Sequence, residues 1–442
     1  MLARLFTQSL LLLCLSFTSV ASAGDILEQA LGLFDLSLAQ FSQDPQSGLL
    51  HAKTPYASYY LSEDKRYLLK GYMRQLEDRP RNEVEITDRQ AFKAVEAEMI
   101  TAADGGADEA IYVFIDLDCI HCRYLHSQRE QIKALGLTVK YLAYPLEGPG
   151  SRGFDKLKAA WCADDPLAAV TTLMADGNVQ SPDCKLDLAS HQRLGDNIGI
   201  GGLPTMVLPD GQILRGRRTA LDLQKSMLSN ALLKAHDLAH LIPLRNWHLS
   251  SLTPSVVPGW LQAEGGYHFF YLKQDGNALF MGEILDLQQG RENLTERSRQ
   301  ALRAQGIAQF NDSMLTYQAK TQKQHLYAFT DLDCERCQAL HQAIPKLNAA
   351  GITVSLLALP AEITSLYEPP YAKAWCQGLP DVVIGEDTQL IPAASCDIAE
   401  VLREHSYFAY RMAVGLAPVL MLPDGQLLPF SNEADLALLL SR

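Results

Sequence analysis

Ile111-Tyr112-Val113-Phe114-Ile115-Asp116-Leu117-Asp118-Cys119-Ile120-His121-Cys122 decides how this chain folds. Its first five residues are an uninterrupted apolar run, suited to a strand buried on both faces of a sheet. The pattern from Cys119 to about Leu135 then reads as a helix, and Thr138-Val139-Lys140-Tyr141-Leu142-Ala143 as a second strand. Together they form a βαβ unit whose helix opens on Cys-x-x-Cys. That spacing puts two sulfurs one turn apart. The first faces the free N–H groups and positive dipole end of the helix, which stabilise a thiolate. Cys119 is therefore read as the attacking nucleophile and Cys122, deeper in, as the resolving thiol.

The same stretch returns at Phe329-Thr330-Asp331-Leu332-Asp333-Cys334-Glu335-Arg336-Cys337, an offset of 215 from Cys119 to Cys334. Trp161-Cys162 recurs as Trp375-Cys376, Cys184 as Cys396, Pro204 as Pro418, and Leu208-Pro209-Asp210-Gly211 as Leu422-Pro423-Asp424-Gly425. Upstream, Tyr60-Leu61 with Asp64 and Gly71 matches Tyr271-Leu272 with Asp275 and Gly282. The repeat is thus about half the chain, and two units are too few for a solenoid. Each half opens with a short antiparallel module, represented first by Tyr59-Tyr60-Leu61 and Tyr67 to Tyr72. An amphipathic stretch from Ile86 through Phe92, Val95, Met99 and Ile100 predicts a stalk helix, with Thr87 or Asp88 at its N-cap. Its counterpart runs from Leu294 to about Leu315. Helices are expected over Phe154–Ala163, Leu167–Ala175 and Lys185–Ile198, and a hairpin follows Pro204. The order βαβ, helical insertion, hairpin and helix is that of a thioredoxin fold, so the class is α+β or α/β.

Residues between and beyond the cysteines modify this chemistry. A protonated His121 inside the first pair favours thiolate, as does Arg336 in the second, while Asp118, Asp333 and Glu335 oppose it. Asp118 and Asp333 are also candidate helix N-caps. A zinc knuckle made from both Cys-x-x-Cys pairs is disfavoured, because each pair sits in its own βαβ pattern. His126 and His341, one turn beyond each pair, read as solvated or packed helix histidines rather than ligands. Pro204 and Pro418 stand where a thioredoxin fold keeps a cis-proline that exposes backbone to a bound peptide. Recurrence at both sites favours that reading over an ordinary trans proline. Cys162 with Cys184, and Cys376 with Cys396, each close a modest loop and are read as structural disulfides, worth about 3 kcal/mol apiece. No metal and no cofactor are expected.

The composition bounds the partners and the compartment. A formal charge of −13 over 442 residues repels nucleic-acid phosphates and anionic headgroups. Arg4, the apolar run around Leu10 to Leu15 and Ala21-Ser22-Ala23 form an export signal, with cleavage expected after Ala23. A retained anchor fits less well because the run is short, and bulky Leu13 before Cys14 argues against a lipoprotein. Without Cys14 the nine cysteines become eight, an even number in an exported chain.

At these residues the chain resembles the DsbC/DsbG family of periplasmic disulfide isomerases. The likeness covers nearly all of both halves. It rests on Phe114-x-Asp116-x-x-Cys119-x-x-Cys122, Leu125-His126, Tyr141-Leu142-Ala143-Tyr144-Pro145, Ala160-Trp161-Cys162 and Cys184, with Leu340-His341, Ala374-Trp375-Cys376 and Cys396 in the second half. Pro254 to Gly259 also looks like the family's N-terminal strand region. The resemblance implies a V-shaped pair of arms that holds misoxidised exported proteins, chaperone-like binding, and reduction by a DsbD-like membrane protein. The expected organisation is a signal peptide (1–23), a dimerisation-like module (24–80), a linker helix (81–106) and a thioredoxin-like domain (107–240). A second module (241–290), linker helix (291–320) and thioredoxin-like domain (321–442) follow. This chain departs from the family in carrying both arms itself, in Leu203 and Ala417 before the prolines where threonine is usual, and in its inner pairs Ile120-His121 and Glu335-Arg336. A monomer whose two modules pair with each other is expected. The alternatives to an isomerase are a thiol oxidase or reductase with a narrow client, or a holdase or metal-binding protein without enzymatic action.

Overall fold

The computed structural model describes residues 23–430 and 435, except for 56, 77–84, 181–183, 186, 246, 267, 379–387 and 392–398. The expected export signal lies outside the described residues but for Ala23, and so does Cys396. The described residues fall into two compact units, those of 1–72 with 282–296 and those of 73–281 with 297–442.

In the smaller unit a helix, Ala23–Gly32, precedes antiparallel strands Ser42–Gln43, Leu50–Lys53 and Ser58–Leu61 and the strand that begins at Tyr67. Alternation in these strands turns Ala52, Tyr59, Leu61 and Leu68 into one core, which Leu31 and Leu36 join from the helix side. Leu285 and Leu287 complete that core. The Leu287 N–H donates to the Arg66 carbonyl at 2.9 Å, and the Arg66 guanidinium pairs with buried Asp286 at 2.9 Å. A segment more than 200 positions downstream thus pairs with the first strands.

The larger unit holds a second antiparallel set, Leu249–Pro254, Trp260–Gly265 and His268–Lys273, packed through Leu252, Leu261, Ala263, Phe270 and Leu272. It also holds two mixed sheets of six strands. In the first, Ile111–Ile115 is buried at every residue and lies parallel to Val139–Ala143, with Ile100–Ala103 at the edge beyond. The hairpin Thr205–Val207 and Gln212–Arg215 lies on the other side. In the second, Gln324–Thr330 lies parallel to Ile352–Ala358, flanked by Leu315–Ala319 and by the hairpin Val419–Met421 and Leu427–Pro429. Five of the six strands follow the same order in both sheets. The sixth differs: Glu85–Ile86 pairs outside the first hairpin, whereas Thr388–Ile391 pairs beside Leu315–Ala319 in the second.

The helices begin where the side chains allow. Ser151 accepts from the Phe154 N–H at 3.1 Å, and Asp165 from the Ala168 N–H at 3.0 Å ahead of Pro166, so Arg152–Trp161 and Pro166–Met174 both start on satisfied caps. Leu188–Asn197 completes the lobe. The connection onward is the helix Ala220–Ala235, with a Thr219/Asp222 capping box.

The linker helix expected over 81–106 needs correction. Among the described residues of that span only Gln90–Lys93 is α-helical, followed by a 3-10 turn at Glu96–Glu98 and the edge strand Ile100–Ala103. Its apolar residues are used by the sheet instead. Phe92 stacks on Tyr112 at 5.5 Å, buried Arg89 lies over the same ring and donates to the Ala110 carbonyl, and the backbone of Ile100 to Ala103 pairs with Val139 to Tyr141. A backbone committed to a sheet ladder has no groups left for helical bonds. The second linker does form a helix, Leu294–Gly306, ending in a 3-10 turn at Ile307–Phe310 rather than running to Leu315.

Candidate redox site

Each Cys-x-x-Cys opens a helix, its first cysteine four positions after the last residue of a strand whose C-terminal end is buried. Cys119 is the N-cap of Ile120–Ser127 and Cys334 of Glu335–Ala349. In both, the first sulfur accepts the N–H of the second cysteine at 3.2 Å. The capping atom is thus sulfur itself, and the N-cap role considered for Asp118 and Asp333 belongs to the cysteines, because Sγ is the acceptor nearest the orphan N–H groups of the first turn. The first redox helix breaks at Gln128 and resumes as Arg129–Ala134, whereas the second continues through Pro345.

Cys119 is half-buried and Cys122 is 1% exposed, and both are free thiols. The Cys122 side chain donates to Cys119, and the amides of Cys122 and His121 add to this, so the Cys119 thiol comes down to about 7 against the opposing effects of burial and of Asp116. Cys122 is pushed strongly up, first by burial and then by its hydrogen bond to Cys119. The pair therefore divides into a thiol ready to ionise at neutral pH and one held protonated. Cys334 and Cys337 form a disulfide with Cα atoms 5.1 Å apart, and Cys337 is fully buried.

The Leu203–Pro204 and Ala417–Pro418 peptide bonds are both cis. The Cys119 thiol donates to the Leu203 carbonyl at 3.6 Å, and Cys334 Sγ lies 3.8 Å from the Ala417 carbonyl. Backbone polar groups therefore lie beside the first cysteine of each pair. His121 and Arg336 are exposed, so at Cys119 it is the His121 amide rather than its ring that lowers the thiol.

Cys162 bonds to Cys184 with Cα atoms 5.6 Å apart; Cys376 is also disulfide-bonded. His126 is buried, with Nε2 2.9 Å from the Thr171 hydroxyl and Nδ1 3.3 Å from the Tyr141 hydroxyl. His341 Nε2 lies 2.7 Å from the Thr330 hydroxyl. Burial holds both histidines down at about 4. Among the described residues no cluster of three or more His, Cys, Asp or Glu could hold a metal, and no helix is long and apolar enough to cross a membrane.

Two carboxylates received no role from the sequence. Asp116 and Asp331 are 5% and 7% exposed and stand three residues before the first cysteine of each pair. Asp116 Oδ1 accepts from the Asp118 N–H at 3.0 Å and Oδ2 from the Leu146 N–H at 3.0 Å. The signal that would have found them is their identical spacing in both halves. Around Asp118, Lys156 and Arg123 form ion pairs, and Arg123 also holds Asp176 at 2.8 Å. At the corresponding places near Asp333 stand Pro370 and Gln338, which carry no charge.

Comparison with known proteins fits this geometry. A family model described as thioredoxin-like domain matches residues 95–228, and one described as disulfide bond isomerase protein N-terminal domain matches residues 228–296. The thiol:disulfide interchange protein DsbC of Dickeya dadantii is 32% identical over 207 residues, 46% of this chain and 87% of that protein. The protein of the same name from Escherichia coli K12 is 31% identical over 205 residues, covering 46% and 86%. A crystal structure of a disulfide interchange protein from Neisseria gonorrhoeae is 27% identical, with a TM-score of 0.27 over 29% of this chain and 92% of that one.

Proposed function

This chain belongs to the DsbC family of thiol-disulfide oxidoreductases, and from that premise we propose that it is a periplasmic disulfide isomerase with two redox arms on one chain. The observation that carries the reading is Cys119. Its thiol titrates near neutral pH beside a buried, protonated Cys122 and a backbone carbonyl preceding a cis-proline. Cys119 and Cys334 attack a client disulfide as thiolates. A bond forms between the attacking sulfur and one client sulfur, and the other client sulfur leaves as a thiolate. If that thiolate, or another in the client, attacks the mixed disulfide, the client is rearranged and the arm is released reduced. If Cys122 or Cys337 attacks instead, the client leaves reduced and the arm is oxidised, so a DsbD-like membrane reductase must restore it.

The tandem arrangement and the monomeric state are part of the same reading. Leu285, Leu287 and Asp286 pack and pair with the first strands inside the smaller unit, so that unit draws on residues from both halves of one chain. Light scattering on the mature protein should give the mass of a single chain; a stable doubled mass rejects intramolecular pairing.

The function is tested with the reduced protein and a client carrying scrambled disulfides, in a buffer without added oxidant. Native pairing should return with no net change in client thiols. Client reduction without rearrangement rejects the isomerase in favour of a reductase. Activity that survives loss of all four redox cysteines rejects thiol chemistry altogether.

A further inference from the structure

Each nucleophile sits near a buried carboxylate, and the two carboxylates are not held alike. Asp331 repeats the contacts of Asp116: Oδ1 accepts from the Asp333 N–H at 3.2 Å and Oδ2 from the Ala361 N–H at 2.9 Å. It then gains a third donor. The hydroxyl of Tyr371 reaches Asp331 Oδ1 at 2.7 Å and accepts the Leu332 N–H at 3.3 Å. Tyr371 precedes Trp375 by four residues, and the residue four before Trp161 is Leu157. Leu157 is fully buried and offers no donor to Asp116.

A buried hydroxyl in place of an aliphatic side chain is costly unless it is bonded, and a bond to an ionised acceptor is the strong kind. Here the phenol is 2% exposed, and both of its bonds go to the segment that leads into Cys334. In the first arm the charge of Asp116 disfavours the thiolates of both cysteines. A donor placed on the carboxylate weakens such a field at the sulfur, since the positive end of the O–H dipole lies against the negative charge.

We propose that Tyr371 is a positioning residue of the second arm, which by donating to Asp331 draws carboxylate charge away from Cys334 and makes it a readier thiolate than leucine at that place would allow. This rests on Cys334 being the nucleophile, as under the proposed function. The other charged or titratable groups around the sulfur are the Cys337 thiol of the reduced pair, Asp333 before it, Glu335 and Arg336 within the pair, and His341 one turn beyond Cys337.

The test uses the reduced full chain with the first arm silenced by Cys119→Ser and Cys122→Ser, and reads iodoacetamide alkylation of Cys334 against pH. Tyr371→Phe, which removes only the hydroxyl, should move the midpoint upward and slow alkylation below it about three- to tenfold. Tyr371→Leu, which copies the first arm, should do the same. Asp331→Asn should move the midpoint downward, and adding Tyr371→Phe to Asp331→Asn should change nothing further. A midpoint unmoved by Tyr371→Phe overturns the proposal, as does an equal upward shift in the Asp331→Asn background, because a merely structural tyrosine has no reason to act through the carboxylate. Peptide mapping of the alkylated product separates this failure from that of its premise: label arriving first on Cys337 rejects Cys334 as the nucleophile.

Discussion

The two Cys-x-x-Cys sites share a backbone device and differ in the charges around it. In both, a buried strand delivers the first cysteine to a helix N-terminus, its sulfur accepts the N–H three residues on, and a carbonyl before a cis-proline lies beside it. The first arm places Ile120-His121 between its cysteines and covers Asp118 with Lys156 and Arg123. The second has Glu335-Arg336 there, Pro370 and Gln338 in the places of those cations, and Tyr371 on its buried carboxylate. Strand order and helix capping thus decide where each sulfur sits. The side chains around it decide how readily it ionises, and these change without disturbing the fold because they lie at the rim or on the helical lobe.

The comparison breaks most severely at the first cysteine of each pair. Cys119→Ser should reduce exchange at the first arm to background and leave the second working, and Cys334→Ser should do the reverse. Cys122→Ser and Cys337→Ser should accumulate mixed disulfides with clients, visible on non-reducing gels. Trapping by Cys119→Ser instead would reverse the assigned roles.

A second test asks whether the arms fail together in acid. Each carries two buried histidines, His126 and His191 in the first, His341 and His405 in the second. Burial holds the first three at about 4 and His405 at about 3, below their unfolded value near 6.5. A depressed histidine is neutral when folded and takes up a proton on unfolding, so the stability it allows is complete above pH 6.5 and is lost as pH falls toward 4. At pH 5 the loss is about 2 kcal/mol for each histidine. Denaturant melts at pH 7 and pH 5, followed by Trp161 and Trp375 fluorescence, should shift for both arms; a shift confined to one would separate them.

Removing the Cys162–Cys184 link with a double alanine substitution should destabilise the first arm by about 3 kcal/mol, measured by the same melts, while Cys119 keeps its alkylation profile. An altered profile would mean that this disulfide supports the redox site rather than the helical lobe alone.

The smallest expected effect is at the residue before the first cysteine of each pair. Asp333→Asn should speed Cys334 alkylation at pH 7 by about two- to fivefold, because a carboxylate beside a thiolate raises its pKa. Asp118→Asn should change Cys119 by less than about twofold, since Lys156 and Arg123 already offset that charge. Equal effects would show that the ion pairs do not shield the first arm.

The buried strand, the Cys-x-x-Cys helix start, the recurring tryptophan and the prolines before the hairpins are legible in the amino-acid order because each depends on neighbours a few residues away. An apolar run of five, a sulfur at an N-cap and a Pro-Asp-Gly turn express local geometry, and the 214-residue recurrence of Trp161 at Trp375 marks the register. Tertiary structure alone decided the rest. The spacing of Phe92, Val95, Met99 and Ile100 reports which side chains become buried, but not what buries them. An open sheet edge beside Val139–Ala143 took Ile100–Ala103 as a strand, and the stalk helix did not form. Likewise, nothing near Leu285 in sequence indicates a core shared with Leu61, and nothing near Tyr371 indicates a carboxylate 40 positions away. Such contacts depend on how strands pair and helices pack across the whole chain, and a local pattern carries no record of that geometry.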